Sequence, residues 1–399
     1  MDSVLVNVSS KEDYNFVKKL SPYFHGKDLK IIYFCSNIII YLYIILCGEV
    51  GYIAFRSKKS KLEDTSKFSV FNIRSGISSG RNLSESVHGF AKLLDYLFCK
   101  YEIRMMVIPS GRMASHKVMT YYKEKFSIPA IYIGYGNLPG KTFLDCRGTD
   151  KASFLYSNIS MLDKFDIDTE SYREWKEEFV TLKLKAHKVP QSRNNDIFFK
   201  LKRFFRVLAC KFENAMNIAH DINYSFQKSI FSFESTCLNY KELPAKYVFF
   251  PMQLTTDAQV ILNYDSDLEN AISEAISIAR SKNLPLVVKA HPAEVDDNVN
   301  RYLNRLEEAG DIIISNENTF KVIDSCDLVV TINSTVGLEA RILGRDVVFL
   351  GSSIFDLIPE ERLGSYILGY LFDLEYFNDY PLPNSQFSKL DFILELPSC

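Results

Sequence analysis

Short apolar runs alternate with amphipathic stretches along most of the chain. VLVNVS, KIIYFCS, RMMVIPS and AIYIGYG in the first half read as buried strands, as do KYVFFPMQ, LPLVVKAHP, DIIISN, DLVVTINS and DVVFLGS in the second. Between them, SESVHGFAKLLDYLFCKYE and DLENAISEAISIARSKN carry apolar residues at helical spacing. Strand, helix, strand in this order predicts parallel sheets with helices on both faces, and two such sets predict an α/β chain with two Rossmann-like, doubly wound domains. The first spans 1–162 and the second 238–358. Residues 163–237 show no strand pattern and read as a helical linker or insert. Residues 359–399, with SYILGYLFDLEYF, read as a terminal helical segment packing back on the body.

Two stretches do not fit a plain α/β pattern. Leu29–Phe55 is unusually apolar, with 17 uncharged residues from Ile31 to Cys47, slightly short for a spanning helix. Ser36 and Asn37 interrupt it as a strand-to-helix turn would, so it reads as a buried strand followed by a buried helix, with membrane contact as the alternative. Lys183–Lys211 carries nine Lys/Arg against one acid, Asp196, with Phe198, Leu201, Phe205 and Leu208 at helical spacing. Such a basic amphipathic helix either lies on an anionic membrane or packs on a domain with its basic face solvated.

A chain of 399 residues accommodates two cores, and a net charge of −2 gives no overall pull toward nucleic acid. The eight cysteines are scattered without a C-x-x-C pair, which predicts reduced thiols and no zinc site. MDSVLVNVSSKEDY lacks the charged and apolar regions of a signal peptide.

Open α/β sheets bind ligands beyond the carboxyl ends of their strands, so the residues after each apolar run bear the chemistry. After YVFFPMQ come Gln253 and Asp257. After PLVV come Lys289, His291 and Pro292. After DLVVTI come Asn333, Ser334 and Thr335, with Gly337 and Glu339 opening a helix. Alone, a Ser-Thr pair before a helix is an ordinary N-cap, and a His-Pro pair an ordinary strand exit. Together, at successive strand ends, they point to an anionic ligand. The hydroxyls and first-turn amides form a phosphate seat, Lys289 and His291 supply donors, and Pro292 stiffens the turn. Glu339 in a first helical turn is favourable on structural grounds alone.

The blocks YVFFPMQLTTDAQV, VVKAHPAE and DLVVTINSTVGLEARILGRDVVFLGSSIFD resemble the bacterial capsule polysaccharide biosynthesis family, which includes retaining β-Kdo glycosyltransferases that use CMP-Kdo. IPAIYIGYGNLPGKTFLDCRGTDKASFLY resembles a further block of that family. The resemblance covers most of positions 100–160 and 245–356. It implies a GT-B-like enzyme whose two domains face a cleft, the first binding acceptor and the second the CMP-sugar donor. The donor would be held by Gln253, Lys289, His291, Pro292, Asn333, Ser334, Thr335, Gly337 and Glu339, with His291, Ser334 and Thr335 on the phosphate. Asp257 matches a carboxylate nucleophile, two inversions giving net retention; its other reading is an N-cap. No metal or other cofactor is expected if His291, Lys289 and the helix end neutralise the phosphate. The implied partners are a CMP-sugar and a glycan or glycolipid of capsule, O-antigen or lipopolysaccharide assembly. The implied location is cytoplasmic, peripheral on the inner face of the cytoplasmic membrane.

One position departs from the family pattern. Relatives carry an acid/base Glu where this chain has Gly134, which cannot move a proton. Either Asp145, Asp150 or Glu294 takes the role, or the donor is another CMP- or UDP-linked sugar, or the chain is a weakened or inactive nucleotide- or glycan-binding homologue. In the first domain, PSGRMASHK and RSGISSGRNLSES form Gly- and Ser-rich turns bearing Arg81, Arg112 and His116. Arg112, Asn137 and Lys141 are the candidates for an acceptor or the Kdo carboxylate, which Arg matches bidentately. SSGR lacks the lysine of a Walker loop, which excludes that nucleotide-triphosphate motif.

Overall fold

The structure is a computed structural model that describes residues 2–134, 138–185, 197–222, 238, 240–292, 294, 297–376 and 380–396. The chain forms two compact units. Unit 1 takes residues 1–158, 195–228 and 369–399, and unit 2 takes 159–194 and 229–368.

Unit 1 opens with β1 (Asp2–Val8), α1 (Lys11–Gly26), β2 (Lys30–Cys35), α2 (Ile38–Leu46), β3 (Gly51–Ile53), α3 (Val70–Arg74) and α4 (Gly80–Lys100). β4 (Glu102–Pro109), α5 (Ala114–Phe126), β5 (Ala130–Gly134), β6 (Lys141–Asp145) and α6 (Phe154–Ser157) follow. The central stretch then supplies α7 (Thr169–Lys185) to unit 2 and α8 (Ile197–Ala215) to unit 1, so the expected insert is shared between the two. Unit 2 continues with β7 (Val248–Pro251), α9 (Ala258–Asn263), α10 (Leu268–Ser281), β8 (Leu286–Lys289), α11 (Asp297–Glu308), β9 (Ile313–Ile314), α12 (Thr319–Ser325), β10 (Leu328–Thr331), α13 (Thr335–Ile342), β11 (Val347–Phe349) and α14 (Ile354–Leu357). β12 (Phe372–Asp373) and α15 (Phe387–Leu394) return to unit 1.

The strand order in unit 2 is β11-β10-β7-β8-β9, all parallel. In local numbering this is 3-2-1-4-5 read from β9, the Rossmann order, and its switch point lies between β7 and β10. Unit 1 repeats the pattern in β3-β2-β1-β4-β5, with its switch point between β1 and β4. It then adds two antiparallel strands, β6 and β12, beside β5. Both sheets are buried on both faces, which explains why the sequence reads as continuous Val/Ile/Phe runs rather than alternation. Val248, Phe250, Val288 and Val330 pack with Ala271, Ile272 and Ala275 of α10 in one core, and Leu5, Ile32 and Met106 with Phe90 and Leu94 of α4 in the other.

All nine strands expected from apolar runs are present. Three local expectations fail. SYILGYLFDLEYF is not a terminal helix: Ser365–Tyr370 makes one π-helical segment, and Phe372–Asp373 then pairs with Lys141–Thr142 as β12. The apolar helix α2 is not buried, since only Ile40 and Ile44 face inward. Finally, five described cysteines are free thiols, but Cys146 is disulfide-bonded, which departs from an all-thiol chain.

Candidate functional site

In unit 2, β8, β7 and β10 are successive neighbours, so the polar residues after each come out along one edge of one sheet. The axes of β8 and β10 are roughly 10 Å apart, two strand spacings. That is a span a nucleotide phosphate and its sugar can bridge.

The switch point is closed by an amide pair. Gln253 Nε2 donates to Asn333 Oδ1 at 2.9 Å, and the Asn333 backbone N–H donates to Gln253 Oε1 at 3.1 Å. Both side chains are buried. Asn333 Nδ2 also donates to the Gln259 carbonyl at 3.0 Å, which fixes the first turn of α9. Asp257 caps that same turn, one carboxylate oxygen accepting from Gln259 N–H at 2.9 Å. Its other oxygen accepts no hydrogen bond from the described residues. The N-cap reading of Asp257 is therefore realised, and it orients a carboxylate with one oxygen to spare.

His291 follows β8 and is half-buried. Burial holds its imidazole below the ordinary histidine range, and the nearby Asp257 and Glu294 carboxylates oppose that shift. Glu294 closes back on the same loop: its N–H donates to the His291 carbonyl at 2.9 Å, and its carboxylate receives Thr255 N–H at 3.4 Å and Thr255 Oγ1 at 3.5 Å. Three candidate groups thus share one electrostatic neighbourhood. Burial lowers the Lys289 ammonium from its usual range; the ammonium donates to the Glu317 carbonyl, tying down the loop before α12. Pro292 is an exposed turn residue.

At the β10 end, Ser334 is the N-cap of α13, its hydroxyl accepting from Val336 N–H at 3.1 Å. Thr335 opens the helix, and its hydroxyl has no partner among the described residues. Of the two hydroxyls expected on a phosphate, Thr335 is the one not engaged in capping. Gly337 has a different role: a Cβ there would lie 2.5 Å from the Phe349 ring of β11, so it is a close-packing glycine. Glu339 is buried and pairs with Lys183 of α7 at 2.5 Å. Gly337 and Glu339, both expected among the donor contacts, thus also serve packing within unit 2.

In unit 1, Gly134 ends β5, and a Cβ there would meet Phe143 at 3.2 Å and Thr149 at 3.5 Å. Asp145 is fully buried and accepts from Arg147, Gly148, Phe154 and Leu155 N–H and from the Tyr370 hydroxyl. All that bonding organises the loop after β6, so Asp145 is a structural carboxylate. Asp150 opens a short 3-10 turn at φ 55°. Lys141, expected on an acceptor, is buried and its ammonium is paired with Asp373 of β12. Asn137 lies outside the described residues. Arg112 follows the Ser110–Gly111 turn after β4, both residues at positive φ. Its Nε is buried without a hydrogen-bond partner. Arg81 lies exposed in the first turn of α4.

Sequence reading missed a buried network at the unit 1 switch point. Asn7 of β1 donates to Ser115 Oγ at 3.2 Å, and Ser115 donates through N–H and Oγ to Asp221. Burial pushes the Asp221 carboxyl up to about 6, and it pushes the neighbouring His116 imidazole down to about 3. The partners are separated by more than 100 residues, so no local pattern could reveal them. Cys210, Glu213 and His220 form the described cluster with metal-ligand chemistry, their ligand atoms within 4.8 Å of one another. Glu213 already accepts Ile38 N–H, and His220 Nε2 lies 3.2 Å from Asn214 Oδ1.

Two Rossmann-like units, one with a fixed polar cluster at its switch point, define an α/β protein with two doubly wound units. Residues 176–358, which carry the whole cluster, match the family model described as capsule polysaccharide biosynthesis protein. Protein FixF of Sinorhizobium fredii (strain NBRC 101917 / NGR234) is 31% identical over 120 residues, a match spanning 29% of this chain and 29% of FixF. Among solved structures, the KpsC beta Kdo 2,4 transferase of Thermosulfurimonas dismutans is similar at 13% identity and a TM-score of 0.46, covering 98% of this chain and 97% of its own. The beta Kdo 2,7 transferase of the same protein is similar at 13% identity and 0.43, covering 98% of each chain. A UDP-GlcNAc 2-epimerase of Methanocaldococcus jannaschii is similar at 9% identity and 0.32, covering 99% of each.

Proposed function

We propose that this protein is a retaining glycosyltransferase that moves β-Kdo from CMP-Kdo to a surface polysaccharide, capsule or O-antigen, or to its lipid-linked acceptor. The observation that carries the reading is the shared neighbourhood of Asp257, His291 and Glu294 beside the Gln253–Asn333 pair. It supplies a spare carboxylate oxygen, a phosphate donor and a proton carrier on adjacent strand ends. The free oxygen of Asp257 attacks the anomeric carbon. The bond to the CMP oxygen breaks, and its electron pair leaves with the phosphate. The Thr335 hydroxyl, the first amides of α13 and an N–H of the His291 imidazole donate hydrogen bonds to that charge. The acceptor hydroxyl then attacks the same carbon, its proton passes to Glu294, and the Asp257 ester bond breaks to restore the carboxylate. Arg112 is assigned to an acceptor sugar or to the Kdo carboxylate. The phosphate charge is met by protein groups, so the reaction is independent of metal. The protein works in the cytoplasm, in peripheral contact with the inner membrane where a lipid-linked acceptor resides.

One observation favours a second reading. Gly134 ends β5 and cannot move a proton, so the chain could retain nucleotide or glycan binding without turnover. Calorimetric titration with CMP, beside a turnover assay with CMP-Kdo, separates the two. His291→Ala is expected to weaken CMP by about tenfold or more, the loss of one charge-assisted hydrogen bond. Asp257→Ala should keep CMP affinity and lose turnover. CMP binding by the unaltered protein without turnover supports the second reading. Thermal stabilisation by UDP but not CMP overturns the assignment of the donor.

A further inference from the structure

We infer that unit 1 docks on an anionic lipid bilayer through a two-helix face made by α2 and α8, lying in the interface rather than crossing it. The inference rests on the peripheral reading above and names the surface responsible. α2 turns Ile40 and Ile44 inward and leaves Ile39, Leu42, Ile45 and Leu46 exposed, Leu46 by 86% and Leu42 by 53%. α8 exposes Phe204, Phe205, Leu208 and Phe212, Phe204 by 61%, and Met216 just past its end is exposed as well. Within each helix these positions recur at three, four and seven residues, so each set is a single stripe. The helices pack against each other, and Ile38 N–H at the start of α2 donates to the Glu213 carboxylate of α8 at 2.7 Å. Two neighbouring helices therefore present a broad apolar face, more than the scattered exposed side chains of an ordinary surface.

Charge selects the occupant. α8 carries Lys200, Lys202, Arg203, Arg206 and Lys211 against one acid, Glu213, which is buried beneath the helix. Lys11 of α1 stands over the Tyr43 ring of α2 at 5.5 Å and adds a further cation. The whole chain is near neutral, so this positive charge is local. A second copy of the same face would oppose its own basic residues, whereas anionic headgroups neutralise them while the acyl boundary receives the Leu, Ile and Phe side chains. Among the described residues no helix is long and apolar enough to cross a membrane, which agrees with in-plane docking.

The test is co-sedimentation of the full chain with vesicles of phosphatidylcholine alone or mixed with phosphatidylglycerol, using Leu42→Glu and Leu208→Glu as separate variants. The unaltered protein should pellet with the anionic vesicles, less so as salt is raised. Each variant should lower the bound fraction by about tenfold with CMP affinity unchanged. Leu42→Ala, a milder change, should give a partial loss and covers the case in which the Glu variant misfolds. If Leu208→Glu abolishes binding while both Leu42 variants retain it, the two-helix face is overturned although the peripheral reading stands. If the unaltered protein binds neither vesicle, both fall. A dimer in sedimentation velocity that Leu42→Glu dissociates, without vesicle binding, overturns the lipid in favour of a second copy.

Discussion

Gln253 and Asn333 hold each other across the switch point of unit 2, each giving one hydrogen bond and taking one, at 2.9 and 3.1 Å. They are 80 residues apart in sequence, and they join the β7 exit to the β10 exit. Through its side-chain Nδ2, Asn333 also donates to the Gln259 carbonyl, and Gln259 N–H in turn holds Asp257. Asn333 is thus a positioning residue for the Asp257 carboxylate.

Asn333→Ala leaves the buried Gln253 Nε2 without its acceptor and removes the side-chain donor to the Gln259 carbonyl, a loss of about 1–3 kcal/mol in stability. The turnover number with CMP-Kdo should fall while CMP affinity changes little, because α9 loses its anchor and the phosphate seat does not. Thermal melting and steady-state kinetics check this. An unchanged turnover number would show that Asp257 is held by other means.

Glu339 and Lys183 make a largely buried ion pair inside unit 2. Lys183→Ala strands the Glu339 carboxylate and should cost about 1–3 kcal/mol in a chemical denaturation curve. The CMP dissociation constant should stay within about twofold of its starting value. A tenfold rise, about 1.4 kcal/mol, would return Glu339 to the donor contacts.

Glu213 links stability to pH. Burial raises its carboxyl from 4.5 to about 7, so the folded state binds a proton more tightly than the unfolded chain does. Its contribution is complete below 4.5 and is lost as pH rises through 7. Glu213→Gln keeps an acceptor for Ile38 N–H and removes the titration. The stability difference between variant and unaltered protein should grow in the variant's favour from acid to neutral pH, by up to about 3 kcal/mol. Melting curves across that range check it, and a difference independent of pH contradicts it. The comparison must be between the two proteins. His116 and His220, held down to about 3 and about 4 by burial, contribute stability in the opposite sense as pH rises.

The strands were legible because a sheet covered on both faces must be apolar at every position, and runs such as VFF and LVV follow from that. β3, β6 and β12 were not: β3 and β12 span only three and two residues, and β6, KTFLD, interrupts its apolar residues with Lys141, Thr142 and Asp145. The polar residues at the strand ends were legible because the parallel topology fixes where a ligand can sit. Their individual duties were not. Gly337 and Glu339 were expected among the donor contacts, and the Phe349 ring and Lys183 of α7 that they meet come from elements no local pattern connects to them. α2 misled in the opposite direction. Nine uniformly apolar residues predict a buried helix, yet only two of them are buried, a discrepancy that sequence composition alone cannot register.

The central claim is that Asp257 carries the sugar between two displacements. The most direct measurement is the intact mass of the protein after incubation with CMP-Kdo in the absence of acceptor, followed by peptide mapping. The account expects one Kdo residue added, mapped to Asp257, absent from Asp257→Ala and discharged when acceptor is supplied. Full turnover by Asp257→Ala, or a sugar adduct mapped to another residue, would contradict it.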